Sequence, residues 1–196
     1  MNRVEYFISK FRGKVLNIGC YGSESYDRMR ASGYSGLFGL DLVEGDKKRG
    51  IVKGDALKMS SKNEFDVIIA GELIEHFYPS QAKAFLKNCS TALKKGGDLI
   101  LTTPNKGAWS NRLFHRFDNA SPSQYQGHVH VYTIPELKGF VEANGFRVKE
   151  LFCLPYSREA SPNQFWAVYA LRKAIHFFLP MRLQEQIVLR AAKVVA

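Results

Sequence analysis

The sequence predicts an α/β domain built on a mostly parallel sheet, and three observations carry that prediction. Strand-like and helix-like segments alternate along the chain, the pattern of βαβ units. Residues 65–70 (FDVIIA) form a run that is apolar at every position except Asp66, as a central strand buried on both faces requires. Residues 80–95 repeat their apolar positions (Ala82, Phe85, Leu86, Cys89 and Leu93) at helical spacing. At 196 residues the chain suits one well-buried core and is short for two, so 1–196 is read as a single domain.

A first strand is expected at 14–18 (KVLNI), running into the turn Gly19-Cys20-Tyr21-Gly22. Ser23 or Ser25 offers an N-cap for a helix to about Ser32, with Gly33 as its stop. Strands two and three are placed at 36–40 and 50–53, and strand four at 65–70. The helix over 80–95 ends at Gly96-Gly97, and 98–103 reads as strand five. Residues 133–136 (TIPE) form a capping box with proline in the first turn, opening a helix that closes at Gly145. Strand six follows at 146–153, a last strand is placed at 165–171, and 172–196 is read as a basic helical segment broken at Pro180.

Composition narrows the class. With 45% hydrophobic and 23% charged residues the chain is globular, and no apolar run approaches the length of a membrane span. The start of the chain lacks the apolar core of a secretory signal. Cys20, Cys89 and Cys153 are odd in number and show no metal-ligand spacing, which fits a reduced, cytoplasmic setting. The net charge of +10 is partly local: Lys10, Arg12 and Lys14 near the start, and Arg172, Lys173, Arg182, Arg190 and Lys193 near the end. Cations among aromatics at the C-terminus point to a surface partner, either nucleic acid or a membrane face contacted peripherally.

The turn after the first strand is suited to a ligand, because glycine lets the backbone come close to it. Asp41, about twenty residues past those glycines at the tip of strand two, is placed to accept both hydroxyls of a ribose. That geometry serves a nicotinamide dinucleotide as well as S-adenosylmethionine, although only Gly19 and Gly22 fit the GxGxxG pattern. Together, VLNIGCYG, GLDL, GDA, FDVIIAGELIEH and GGDLILTTPN, in this order and spacing, resemble the class I S-adenosylmethionine-dependent methyltransferases over about residues 14–152. The resemblance implies a Rossmann-like seven-stranded sheet with helices on both faces and strand seven antiparallel. The cofactor contacts it implies are Asn17, Gly19, Cys20, Tyr21, Gly22, Asp41, Leu42, Asp55, Ala56 and Gly71, with Asp55 at the adenine amino group. Asn17 stands where relatives usually carry Asp or Glu, and Tyr21 where they carry glycine.

A hydroxyl acceptor needs its proton removed by a base or by a metal that acidifies it. Two clusters qualify. In Glu72-Leu-Ile-Glu75-His76 the i, i+3, i+4 spacing puts both carboxylates and the imidazole on one helical face. In His128-Val-His130 both rings point the same way if the run is extended. The pairing resembles two metal-dependent groups, the 2′-O-methyltransferases of small-RNA 3′ ends and the O-methyltransferases of ubiquinone biosynthesis. That resemblance implies a divalent metal held by Glu72, Glu75, His76 and His128. Without a metal, His128 or His130 is the expected general base, with Glu72 lining the cleft. Residues 106–127 form an irregular insertion whose Trp109, Phe114, Phe117 and Tyr125 are candidates for an aromatic substrate wall. The leading expectation is O-methylation of a small-molecule acceptor such as a sugar, a lipid-linked intermediate or a quinone precursor. An RNA 2′-O-methyltransferase and a non-catalytic methyltransferase-like partner protein are the alternatives.

Overall fold

The computed structural model describes residues 2–114, 127–155 and 166–194. Its elements are α1 (Arg3–Ser9), β1 (Val15–Ile18), α2 (Glu24–Ala31), β2 (Leu37–Asp41), β3 (Ile51–Lys53), β4 (Phe65–Gly71), α3 (Pro79–Ala92), β5 (Leu93–Pro104), α4 (Trp109–Phe114), α5 (Ile134–Ala143), β6 (Phe146–Leu154), α6 (Trp166–Phe178) and β7 (Gln186–Lys193). The seven strands form one sheet in the order β3-β2-β1-β4-β5-β7-β6. Every described pairing is parallel except those of β7, which runs antiparallel to both β5 and β6.

The apolar run of β4 serves both faces of the sheet. Val67 and Ile69 join Val15, Tyr26, Met29 and Ile100 on one side, while Ile68 and Ala70 join Leu16, Phe85, Leu86 and Leu137 on the other. The period-two alternation of a strand feeds two separate cores from the four consecutive apolar positions Val67 to Ala70.

Local chemistry sets the helix ends. Ser23 Oγ accepts the Tyr26 N–H at 3.3 Å to start α2, and Gly33 follows its end at φ +76°. The Glu136 carboxylate accepts the Thr133 N–H at 2.7 Å at the head of α5. α3 stops at Ala92, earlier than its apolar repeat suggests, because Leu93 to Lys95 already belong to β5. α1 has no counterpart among the sequence expectations. It is started by a capping box, with Asn2 Oδ1 accepting the Glu5 N–H at 2.9 Å and Glu5 Oε2 accepting the Asn2 N–H at 2.8 Å, and it buries Val4, Tyr6 and Phe7.

The C-terminal third corrects the sequence reading. The last strand is not at 165–171 but at Gln186–Lys193, and the segment placed as a strand lies largely within α6. The basic helical segment expected over 172–196 is helical only to Phe178, with a short 3-10 turn at Met181–Leu183 before β7. Between β5 and β6, Ile187, Val188 and Leu189 are fully buried, a placement that local propensity does not encode.

The insertion after β5 begins with α4; Phe117, Tyr125 and the side chain of Phe114 lie outside the described residues. Several cations that suggested a surface partner are bonded within the domain. Arg12 and Arg190 bond Asp98 at 2.8 and 3.0 Å, Lys10 bonds Glu150 at 3.1 Å, Lys14 bonds Glu64 at 2.8 Å, and Lys193 reaches the Leu93 carbonyl at 2.9 Å.

Candidate active site

The carboxyl ends of β1, β2 and β4 carry the glycine loop, Asp41 and the acidic segment. Gly19 and Gly22 have φ of +76° and +69°, backbone that a side chain would strain. Tyr21 is outside that region, so the residue standing in place of the usual glycine costs the loop no backbone strain. Its side chain is exposed, as is that of Leu42, and the two flank the turn on its solvent side. Asp41 is buried: Oδ2 accepts the Tyr21 N–H at 2.8 Å and Oδ1 the Val43 N–H at 2.9 Å. It therefore organises the loop from across the strand gap, and each oxygen keeps a lone pair for a further donor. Asp55 caps the turn after β3, its Oδ1 accepting the Leu57 N–H at 2.8 Å, with Ala56 buried beside it. Asn17 is buried in β1, and Cys20 is buried with its thiol pushed up to about 12 by burial and by Asp41. At Gly71 a Cβ would lie 3.3 Å from Thr102 Oγ1, a tight contact at the last position of β4.

Past Gly71 the chain turns sharply. Glu72 has φ +52°, in a region unusual for a residue with a side chain. The helical turn begins only afterwards, as a 3-10 helix over Ile74–His76. The single helical face expected for Glu72, Glu75 and His76 is thereby broken. Glu72 Oε1 accepts from Gln186 Nε2 at 3.0 Å and lies 3.8 Å from Arg3 Nη1. Burial raises the Glu72 carboxyl, against the pull of Arg3.

Glu75 points elsewhere and is fully buried. Its Oε2 accepts from Thr103 Oγ1 at 3.0 Å, and its Oε1 has no hydrogen-bond partner. Burial, followed by the Glu72 charge, holds its carboxyl well above the usual carboxylate range. The Glu75 carbonyl accepts the N–H groups of Val129 and His130 at 2.7 and 3.0 Å, which pulls residues 128–130 against the 3-10 turn. His128 Nε2 consequently sits 4.0 Å from Glu75 Oε1, and the rings of His76 and His128 meet edge to face with centroids 4.9 Å apart. His76 Nδ1 lies 3.2 Å from the Gly127 carbonyl, which fixes that nitrogen as the donor and leaves Nε2. Burial, then the neighbouring His76, lowers the His128 pKa. Among the described residues, Glu75, His76 and His128 each present one ligand atom within 4.8 Å of the others.

Three of the four residues expected at a metal thus converge, and Glu72 does not join them. His130 turns its ring onto Tyr132 at 4.5 Å, apart from His128, so the two histidines do not share one face. Arg3, Thr103, Tyr132 and Gln186 were absent from the sequence reading. The N-x-x-E pattern at Asn2–Glu5 was a usable signal for Arg3, whereas nothing local marks the other three. A cavity of about 540 Å³ opens beside this site, lined by Arg3 of α1, by Leu154 and Pro155 after β6, and by Lys173, His176 and Phe177 of α6.

A family profile described as a methyltransferase domain matches residues 3–151, most of the chain. The chain belongs to that methyltransferase family. The glycine loop, Asp41 and the strand order with one antiparallel strand place it in the S-adenosylmethionine-dependent class I group. This methyltransferase domain is 26% identical over 168 residues to the mitochondrial ubiquinone biosynthesis O-methyltransferase of Homo sapiens, an alignment spanning 74% of this chain and 44% of that protein. The chain thus spans less than half the length of the curated relatives it matches. Its fold is shared with a SAM-dependent methyltransferase from Archaeoglobus fulgidus (TM-score 0.67, 23% identity, 97% of this chain and 91% of that one). It is shared as well with a 1,6-didemethyltoxoflavin-N1-methyltransferase from Burkholderia thailandensis, solved with its acceptor and S-adenosylhomocysteine (TM-score 0.64, 15% identity, 98% and 75%).

Proposed function

We propose that this domain transfers a methyl group from S-adenosylmethionine to a hydroxyl of a small-molecule acceptor, with Glu75, His76 and His128 holding a divalent cation beside that hydroxyl. The observation that carries the reading is Glu75 Oε1, a fully buried acceptor with no hydrogen-bond partner, 4.0 Å from the half-buried imidazole of His128. An unsatisfied buried acceptor costs about 1–3 kcal/mol, which a ligand would recover. The donor set of one carboxylate and two imidazoles fits manganese, iron, cobalt or zinc better than magnesium. The His76–Gly127 contact supplies the outer hydrogen bond that metal-bound histidines usually make. A cation here would acidify a bound hydroxyl without a strong base. The likeness to ubiquinone biosynthesis O-methyltransferases supports oxygen as the methylated atom.

The protein's own residues do the positioning. Asp41 holds the glycine loop open to a ribose, Asp55 offers its carboxylate toward an adenine, and Gly19 and Gly22 let the backbone approach. His128, whose pKa is lowered by partial burial and by His76, is able to ligate or to accept a proton. The RNA reading keeps the net charge of +10 as its support, while Lys10, Arg12, Lys14 and Arg190 each pair with a carboxylate of the domain. The Asn17 and Tyr21 departures that suggested a non-catalytic partner are accommodated without strain at Tyr21.

Two measurements test the reading. Calorimetry with S-adenosylhomocysteine should show Asp41→Ala weakened by roughly tenfold to a hundredfold, from the loss of charge-assisted hydrogen bonds worth about 1.5–3 kcal/mol; unchanged affinity removes the ribose contact. Elemental analysis after chelation and reloading should find metal in the wild type and much less in His76→Ala and His128→Ala. If the wild type takes up none, His128 remains as a base alone.

A further inference from the structure

Most exposed apolar side chains of this domain are scattered, but α6 and the turn after it gather a group of them. Leu171, Phe177, Phe178 and Met181 are 60, 75, 90 and 42% exposed. Leu171, Ala174 and Phe178 recur at three- and four-residue steps and so share one stripe of the helix, with Phe177 at its flank. The opposite side holds the helix to the domain: His176 is buried, and Gln184 Nε2 donates to the carbonyls of His176 and Leu179 at 3.1 and 2.9 Å. Asn105 Nδ2 fixes the next turn by donating to the Arg182 and Gln184 carbonyls at 3.1 and 2.7 Å. The apolar stripe is therefore presented on a braced element. Exposed Lys173 and Arg182 fringe it, and neither makes an ion pair among the described residues.

We propose that this face of α6 docks on the surface of an anionic lipid bilayer, lying in the interface and not crossing it. No helix among the described residues is long and apolar enough to cross a membrane, and at thirteen residues α6 has the length of an interfacial segment. The alternative cover, a second copy of the chain, is opposed by charge. A two-fold contact would gather both copies' Lys173 and Arg182 into one interface between proteins each carrying +10, whereas an anionic surface complements both. Docking stands independently of methyl transfer. Its consequence for the acceptor rests on the proposed function: Lys173 and Phe177 line the cavity as well as the stripe, so its rim faces the bilayer and admits an amphiphilic acceptor from the lipid phase.

The test is flotation of the whole chain with neutral phosphatidylcholine vesicles and with vesicles containing about one third phosphatidylglycerol, across a salt series. Binding is expected only to the anionic vesicles and should weaken with salt. Leu171→Ser/Phe178→Ser should lose at least about tenfold in vesicle affinity, from apolar burial of the order of 1.5–3 kcal/mol per side chain, with S-adenosylhomocysteine affinity unchanged as the check on folding. Lys173→Gln/Arg182→Gln should lose about thirtyfold at low salt, since each cation near an anionic surface contributes about 1 kcal/mol. Absence of binding, equal binding to neutral vesicles, or undiminished binding by either variant overturns the proposal. So does a concentration-dependent dimer that the Leu171→Ser/Phe178→Ser change dissociates, which would make a second copy the cover. Failure of cofactor binding in the wild type would instead count against the proposed function.

Discussion

Two carboxylates of this domain are completely buried at opposite ends of the same sheet, and they are held in opposite ways. Asp98, near the amino end of the parallel strands, is met by Arg12 and Arg190 at Oδ2 and by Lys149 at Oδ1, at 2.8, 3.0 and 2.8 Å. Burial pushes its carboxyl up, but Lys149 and Arg12 outweigh burial and hold it below the usual range. Glu75, beyond the carboxyl end of β4, has one hydroxyl donor, an unpartnered oxygen and a second carboxylate for a neighbour. The first arrangement ties the segment after α1 to β5, β6 and β7. The second leaves a cost that a bound cation or proton would relieve, and such sites are where function concentrates.

The comparison can be broken most severely at Asp98. Asp98→Asn leaves three cations around a neutral amide and should cost about 3 kcal/mol, the low end for a broken buried pair, since Arg12 and Lys149 are partly hydrated. The sign with pH follows from the depressed carboxyl. Its contribution is present above the unfolded-state pKa and is lost as pH falls through the folded value, so the gap between variant and wild type should close in acid. Denaturant titrations at neutral and acidic pH measure it; a variant of wild-type stability at neutral pH would show the three pairs to be idle.

At Glu75 the direction reverses. Its carboxyl is raised, so its stabilising contribution is full below the unfolded pKa and is lost as pH rises through the folded value. Metal-free Glu75→Gln should therefore gain on the wild type as pH rises, and exceed it by about 1–2 kcal/mol in alkaline solution. The same variant should lose metal. Melting curves of both proteins between about pH 5 and 9 decide it, and a difference between them that does not grow with pH would remove the raised carboxyl. The smallest change is Thr103→Val, which deletes the single hydroxyl donor to Glu75 and should cost about 1 kcal/mol in the metal-free protein, read in the same melts. A cost matching that of Asp98→Asn would mean the two ends are equally structural.

Much of the site was legible because its signals are local. Gly19 and Gly22 announce left-handed backbone, Asp41 follows at the tip of the next strand, and Thr133-Ile-Pro-Glu136 opens α5 where expected. The acidic segment was legible in composition but not in shape. The i, i+3, i+4 rule assumes a helix from its first residue, whereas Glu72 takes φ +52° and leaves the helical turn to begin at Ile74. Arg3 and Gln186 receive the diverted carboxylate from positions 69 and 114 residues away in sequence, separations over which no spacing argument reaches.

The class of fold, the two-sided burial of β4, the glycine turn and the helix starts all follow from local signals, because each depends on backbone preference or apolar periodicity within a few residues. Tertiary structure decided the rest. QIVLRAAK carries good helix formers yet becomes β7, because only an antiparallel strand between β5 and β6 buries both its faces, while an aromatic segment with β-branched character becomes α6. Packing also decided that Glu75 meets His128: the backbone N–H groups of Val129 and His130 needed the Glu75 carbonyl, and in bonding it they carried an imidazole to a buried oxygen left without a donor.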